Sequence, residues 1–226
     1  MTDSTNDRAR ELAIAGAVSG TFVVAHEQTA GRGRTGRKWS APAGSALLCS
    51  AILRPLEAHH ALLPLAVPLA VCDAAEQLAP VECQVKWPND VWLDQRKLAG
   101  VLIEARPPEW AVIGVGLNLS VSDDGFPEDL RWPATSLGHD VGVAQALAVL
   151  RETLGRWTAA RPEEVAEAFA ARDALRGREI GWVGAGGSGA NGSGRAEGID
   201  ERGNLVVVID SGERVSLGAG EVSLRI

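Results

Sequence analysis

The chain is poor in cysteine. It has three in 226 residues, and Cys49, Cys72 and Cys83 form no Cys-x-x-Cys pair. Each sits among apolar neighbours, which reads as buried free thiols in a reducing cytoplasm. Positive charge is also short: 22 Lys and Arg stand against 29 Asp and Glu, for a net charge of −7. That excludes an overall basic footprint for nucleic acid or an anionic membrane, so any site for a polyanion must be local. No hydrophobic run is long. The most apolar stretch, Ala61 to Cys72, is interrupted by Pro64 and Pro68 and falls short of the roughly 20 residues of a membrane span. It reads as a buried helix or helix pair of a soluble protein. The first residues, MTDSTNDRAR, lack the apolar centre of a signal peptide. There is no internal repeat and no Ser–His–Asp or Cys–His set. What is present is 46% apolar residues, enough for a sizeable core in one large domain, or in one domain of ordinary size and a small one.

The pattern predicts an α+β fold. Ser4 with Asp7 approximates a capping box ahead of a helix over 8–17. Thr21–Ala25 and Ser45–Leu53 read as strands flanking a polar, glycine-rich stretch, and Ala61–Leu78 reads as helical with Pro80 as its stop. Val81–Lys86, Val91–Leu93, Leu98–Ala105 and Ala111–Val121 read as strands joined by short turns, hence a mixed or antiparallel sheet. Val143–Ala160 and Pro162–Leu175 read as helices, Leu147, Leu150, Leu154 and Trp157 sharing one face. Composition shifts at Arg176-Gly177. Beyond it come short strands (Glu179–Val183, Arg195–Ile199, Asn204–Ile209, Arg214–Leu217, Glu221–Leu224) and a glycine/serine run over 184–194 that reads as a mobile hairpin loop. The expected division is residues 1–175 and a small all-β unit over 176–226.

The most informative segment is Gly31-Arg32-Gly33-Arg34-Thr35-Gly36-Arg37-Lys38-Trp39. It sets four cations and three glycines side by side in an acidic chain. Arginine forks match carboxylates and phosphates, and glycines let backbone N–H groups approach an anion. Trp39 is positioned to stack on an adenine. Gly31, Gly33 and Gly36 also match the dinucleotide fingerprint. That motif requires a following helix and an acidic residue about 20 positions on; neither is here. A solvated or nucleic-acid-binding basic loop stays open on this segment alone.

Lys86-Trp87-Pro88-Asn89-Asp90 puts a lysine where a strand ends in a turn. There it would stabilise charge growing on a phosphate, though Pro-Asn-Asp is also ordinary turn chemistry. Lys97-Leu98-Ala99-Gly100 opens a strand whose small residues permit close packing. In Val112–Leu119, Gly114 and Gly116 leave one strand face bare, which suits either a flat ligand or a close strand contact. Asn118 is able to read a purine edge.

Together these segments resemble the catalytic domain of biotin–protein ligases. The resemblance runs through Asp3-Ser4-Thr5-Asn6, Glu27–Arg34, Gly36–Trp39, Lys86–Asp90, Lys97–Glu104, Gly114–Asn118 and Thr135-Ser136-Leu137. The tail (Gly198-Ile199-Asp200, Gly203-Asn204-Leu205, Gly220–Ser223) resembles that family's small SH3-like barrel. The resemblance implies a class II synthetase-like fold and assigns roles. Ser4, Thr5, Asn6 and Gln28 would hold the ureido ring of biotin. Gly31, Arg32, Gly33 and Arg34 would wrap the activated carboxyl end and the phosphate. Gly114 and Gly116 would floor the pocket, and Arg37, Trp39, Lys97 and Asn118 would serve ATP. Lys86 and Arg34 would be catalytic. The implied chemistry is adenylation of biotin by MgATP, with no dedicated protein metal site, and then transfer to a lysine of a biotin carboxyl carrier domain. A lipoate or octanoyl ligase or transferase, or a degenerate biotin-binding module, is the alternative. The first motif begins close to the chain end, so Ser4–Asn6 are expected to fray. The absence of room for a helix-turn-helix implies no DNA binding, and edge strands leave a homodimer open.

Overall fold

The computed structural model describes residues 1–128, 130, 132–138, 141–184, 191–219 and 222–225. Its first sheet contains β1 (Phe22–Ala25), β2 (Ala46–Leu53), β3 (Gln84–Lys86), β4 (Asp90–Leu93), β5 (Arg96–Arg106) and β6 (Trp110–Asn118). They lie in the spatial order β1-β2-β6-β5-β4-β3, and every neighbouring pair is antiparallel. The strands are the expected ones, except that β3 is shorter than Val81–Lys86 and β6 ends at Asn118, short of Val121.

Strand alternation decides where the site lies. β6 is buried along its whole length, and successive side chains point to opposite faces. Ala111, Ile113, Val115 and Leu117 join the main core, with α2 (Leu63–Leu78), α3 (Val143–Thr158) and α4 (Pro162–Arg172) on that side. On the other face Val112 packs with Ala9, Ala13, Ile52 and Trp110 under α1 (Thr5–Ile14). Gly114, Gly116 and Asn118 continue that face. Gly114 is registered against Ser50 and Leu102, and Gly116 against Leu48 and Gly100. Where α1 ends its cover, the sheet thus offers backbone and small polar groups in place of an apolar surface.

Two expectations about helices are corrected. The first helix begins at Thr5, because Ser4 is its N-cap and accepts a hydrogen bond from the Asp7 amide. The chain end does not fray there: Ser4, Thr5 and Asn6 are 2%, 4% and 5% exposed. Thr2 bridges Gln28, and the Ala30 amide donates to the Asp3 carbonyl, which ties the segment down. The apolar run is also longer than it reads. With a preceding 3₁₀ turn, helix Ala58–Leu78 has the length and composition of a membrane span, but 67% of that window is buried inside the protein.

The second sheet comprises β7 (Glu179–Gly184), β8 (Gly192–Ile199), β9 (Leu205–Val208), β10 (Arg214–Leu217) and β11 (Val222–Arg225), in the order β10-β9-β8-β7-β11. Part of the expected hairpin loop is strand: Gly192 pairs with Trp182, and a Cβ at Gly192 would overlap the Trp182 indole. Residues 185–190 of that loop, and Gly220 and Glu221, lie outside the described residues. Ile180, Trp182, Leu205 and Val207 belong to the same apolar cluster as α2, so the core runs across positions 175 and 176. Trp87 Nε1 also donates to the Gly203 carbonyl at 3.0 Å.

The β4–β5 hairpin turns on Asp94 and Gln95, both at positive φ (50° and 61°), with Leu93 opposite Arg96. This is a two-residue turn that favours glycine at its second position. Gln95→Gly relieves a left-handed backbone cost and is expected to raise stability by about 1 kcal/mol in urea denaturation.

Candidate active site

A cavity of about 640 Å³ opens on the α1 face of the first sheet, within the range of small-molecule sites. Its inner end is built by the first turn of α1. Gln28 Oε1 accepts from the Thr5 amide at 2.7 Å and from Thr5 Oγ1 at 3.1 Å. Ser50 Oγ lies 2.8 Å from Thr5 Oγ1 and 2.6 Å from Asn6 Oδ1. Asn6 Nδ2 donates to the Leu102 carbonyl at 3.3 Å and to Glu104 Oε2 at 3.0 Å. The result is a preorganised ring of hydroxyl and amide groups, able to both donate to and accept from a planar polar ligand. Ser50 was missed in the sequence. Its signal was a lone hydroxyl in the apolar strand ALLCSAIL, on the face that carries Gly114.

The two glycines of β6 are bare for an identifiable reason. A Cβ at Gly114 would overlap the Asn6 side chain, and one at Gly116 would overlap the Trp39 indole. The face read as a floor for a flat ligand thus seats two protein side chains. Trp39 also lies against Gly100, with Lys97 Nζ 5.4 Å from its ring centroid. Asn118, 3% exposed, lines the same end of the cavity and donates to the Thr135 carbonyl at 2.9 Å.

The glycine–arginine loop folds back on itself. The Gly33 amide donates to the Arg37 carbonyl at 2.7 Å and the Trp39 amide to the Gly31 carbonyl at 2.9 Å. Gly31 is pinned because a Cβ there would overlap the Trp39 carbonyl and approach Gln28. Gly36 takes φ +75°, a turn conformation that glycine supplies without strain. Arg32, Arg34 and Arg37 all line the cavity, but they differ in surroundings. Arg32 donates to Asp7 Oδ1 at 2.5 Å and to Glu104 Oε1 at 2.7 Å. The hydrogen bond to Glu104 holds its pKa above the usual arginine value, against some desolvation. Arg34 donates to Asn89 Oδ1 at 3.2 Å and to the Ala219 carbonyl. Burial pushes its pKa down, with Asp90 pulling the other way. Arg37 is exposed.

The two lysines converge on one carboxylate. Lys97, on β5, lines the cavity, and its Nζ is 2.6 Å from Asp90 Oδ1. Lys86 is not among the lining residues. Its ammonium is 3.8 Å from Asp90 Oδ2 and 5.8 and 5.4 Å from the rings of Trp92 and Trp132. Lys86 is registered against Asp90 and shares its sheet face, and a register shift between Val91 and Trp92 sets Lys97 opposite Trp92, beside the same carboxylate. Asp90 is 7% exposed. Its Oδ1 is buried, and the ion pair to Lys97 is not aligned as a hydrogen bond. One carboxylate therefore faces Lys86, Lys97 and the field of Arg34. That leaves a surplus of positive charge able to stabilise an anion in a low-dielectric cleft. A carboxylate so surrounded does not suit a divalent cation. Among the described residues no group of three His, Cys, Asp or Glu is arranged to hold a metal. Phe126, Pro127 and Trp132 add an apolar wall, which the sequence reading did not single out.

Comparison with known proteins gives concordant results. Residues 1–118 match the Biotin/lipoate A/B protein ligase family, and residues 188–225 match the Biotin protein ligase C terminal domain. The chain is 37% identical to the biotin–[acetyl-CoA-carboxylase] ligase of Mycobacterium tuberculosis, over 98% of this chain and 86% of that protein. It is 38% identical to the bifunctional ligase/repressor BirA of Bacillus subtilis over 63% of this chain, but 46% of that protein. The chain thus spans about half the length of the bifunctional relatives it matches. The biotin protein ligase of Aquifex aeolicus in complex with biotin and ATP superposes with a TM-score of 0.84 at 29% identity, covering 99% of this chain and 95% of that one.

Proposed function

The chain belongs to the biotin–protein ligase family, and from that premise we propose that it adenylates biotin and transfers the biotinyl group to a carrier lysine. The observation that carries this reading is the cavity with its polar ring at one end and its cation cluster at the other. The ureido ring of biotin lies against Thr5, Asn6 and Gln28, with the buried Ser50 holding Thr5 and Asn6 from behind, and the valeryl chain runs over β5 and β6. Its carboxylate then reaches Lys97 and Arg34. An oxygen of that carboxylate attacks the α-phosphorus of ATP, which arrives with its magnesium ion as substrate, and the bond to the β-phosphate oxygen breaks to release pyrophosphate. The chain contributes alignment and charge stabilisation, with no protein nucleophile. Lys97 neutralises the acyl phosphate, while Lys86 and Asp90 hold Lys97 in place. Arg37, Trp39 and Asn118 flank the nucleotide. In the second step the neutral amine of a carrier lysine attacks the acyl carbon, AMP leaves, and the lysine gives up a proton. The partner is the biotin carboxyl carrier domain of a biotin-dependent carboxylase, and the need for ATP agrees with a cytoplasmic location.

Pyrophosphate release in the presence of biotin, lipoate or octanoate tests the assignment. Release with biotin alone is expected, together with a biotinyl mass increment on a carrier domain. Release with lipoate or octanoate and not biotin contradicts it. Arg34 closes the phosphate end by bridging the loop to Asn89 and Ala219. Arg34→Ala is therefore expected to raise the escape of free biotinyl-adenylate about tenfold, about the loss of one charged hydrogen bond, measured as adenylate in a filtrate.

A further inference from the structure

Glu104 sits on β5 opposite Val112, two residues beyond the strand carbonyl that holds Asn6. Its carboxylate is divided. Oε2 accepts from Asn6 Nδ2 at 3.0 Å, and Oε1 accepts from Arg32 Nη2 at 2.7 Å. Asn6 is a wall of the polar ring and Arg32 belongs to the glycine–arginine loop, so one side chain joins the inner pocket to the loop that covers it. The junction is reinforced from α1. Asp7, next to Asn6, accepts from Arg32 at 2.5 Å, and Arg10 pairs with Asp7 at 2.9 Å and approaches Glu104 at 3.6 Å. With both ends of its fork engaged by carboxylates, Arg32 acts as a clasp and leaves the phosphate end to Arg34, Arg37 and Lys97.

Resting on the functional reading above, we propose that Glu104 is a positioning residue that couples occupancy of the ureido pocket to closure of the glycine–arginine loop. A ligand that fixes Asn6 fixes one oxygen of Glu104. The other oxygen is then held where Arg32 can meet it, and the loop closes. Conversely, a loop held shut by Arg32 keeps Asn6 aligned before biotin arrives. The coupling is reciprocal, as linkage requires. It is salt-sensitive because Arg32 is 37% exposed and its ion pairs are partly screened.

Glu104→Gln separates the two halves, since the glutamine oxygen still accepts from Asn6 while one of the two charges that hold Arg32 is gone. The expected result is a rise of about fivefold in both the KM for biotin and the escape of biotinyl-adenylate, the low end of typical coupling. The maximal rate of pyrophosphate release falls less. Escape from the wild-type chain increases with added salt, whereas escape from Glu104→Gln starts higher and depends less on salt. Arg32→Ala with Glu104→Gln is no worse than Arg32→Ala alone, and Arg32→Lys recovers part of the retention. Additive effects in the double variant, or wild-type escape from Glu104→Gln at low salt, overturn the clasp. Absence of biotin-dependent pyrophosphate release from the wild-type chain overturns the functional reading, whereas normal release with an indifferent Glu104→Gln overturns the clasp alone.

Discussion

Lys97→Ala is expected to lower the rate of biotin-dependent pyrophosphate release by about a hundredfold or more, the usual consequence of removing a preorganised charge partner from a transition state. Lys97 lines the cavity, and its Nζ lies 2.6 Å from Asp90. Without it, Asp90 presents a buried carboxylate toward the reacting phosphate, so the variant both loses attraction and gains repulsion. Biotin KM should change little, because the polar ring that holds the ureido group is at the other end of the cavity. Lys86→Ala removes the second ammonium from Asp90 and is expected to cost less, about tenfold. Burst measurements of adenylate formation on both variants decide the order. A larger loss at Lys86 than at Lys97 contradicts the placement.

Gly114→Ala carries the second large expected effect, about a hundredfold rise in biotin KM. The three atoms nearest to a Cβ at Gly114 all belong to the Asn6 side chain. The substitution therefore evicts Asn6. Asn6 leaves its bonds to Ser50, Leu102 and Glu104, and each net hydrogen bond is worth about 1 kcal/mol. Two or three of them give the stated factor. Isothermal titration with biotin measures it directly. Asn6→Ala combined with Gly114→Ala should keep the loss of affinity while restoring any lost thermal stability, since the overlap is gone. Retained affinity in Gly114→Ala would mean that Asn6 does not shape the ligand pocket.

Much of this arrangement was legible in the sequence, for reasons that can be named. Strand alternation placed the sheet, and glycine-rich turn chemistry placed the loop. The motif spacing, through its resemblance to a known family, brought the loop, Lys97, Asn118 and the Thr5-Asn6 pair to a single cavity. What stayed hidden depends on depth and register. Nothing in Lys86-Trp87-Pro88-Asn89-Asp90 announces that Lys97 shares Asp90 with Lys86, because a register shift in the paired strand brings it there. Gly114 and Gly116 line the cavity as read, but the Asn6 and Trp39 side chains that lie against them are not legible from a bare strand face. Ser4–Asn6 read as a frayed end because their anchors, Gln28 and Ser50, are remote in sequence. Glu104 and Asp7 were invisible as partners of Arg32 for the same reason: 72 and 25 positions separate them from it.

One cavity holds biotin by its ureido ring at Thr5, Asn6 and Gln28 and presents its carboxyl end to Lys97 and Arg34. A crystal structure of the chain grown with biotin and ATP puts this to the test. Continuous density is expected for an adenylate with its acyl phosphate within hydrogen-bonding reach of Lys97 Nζ. Density with the ureido ring away from Asn6, or a nucleotide bound outside this cavity, would contradict it.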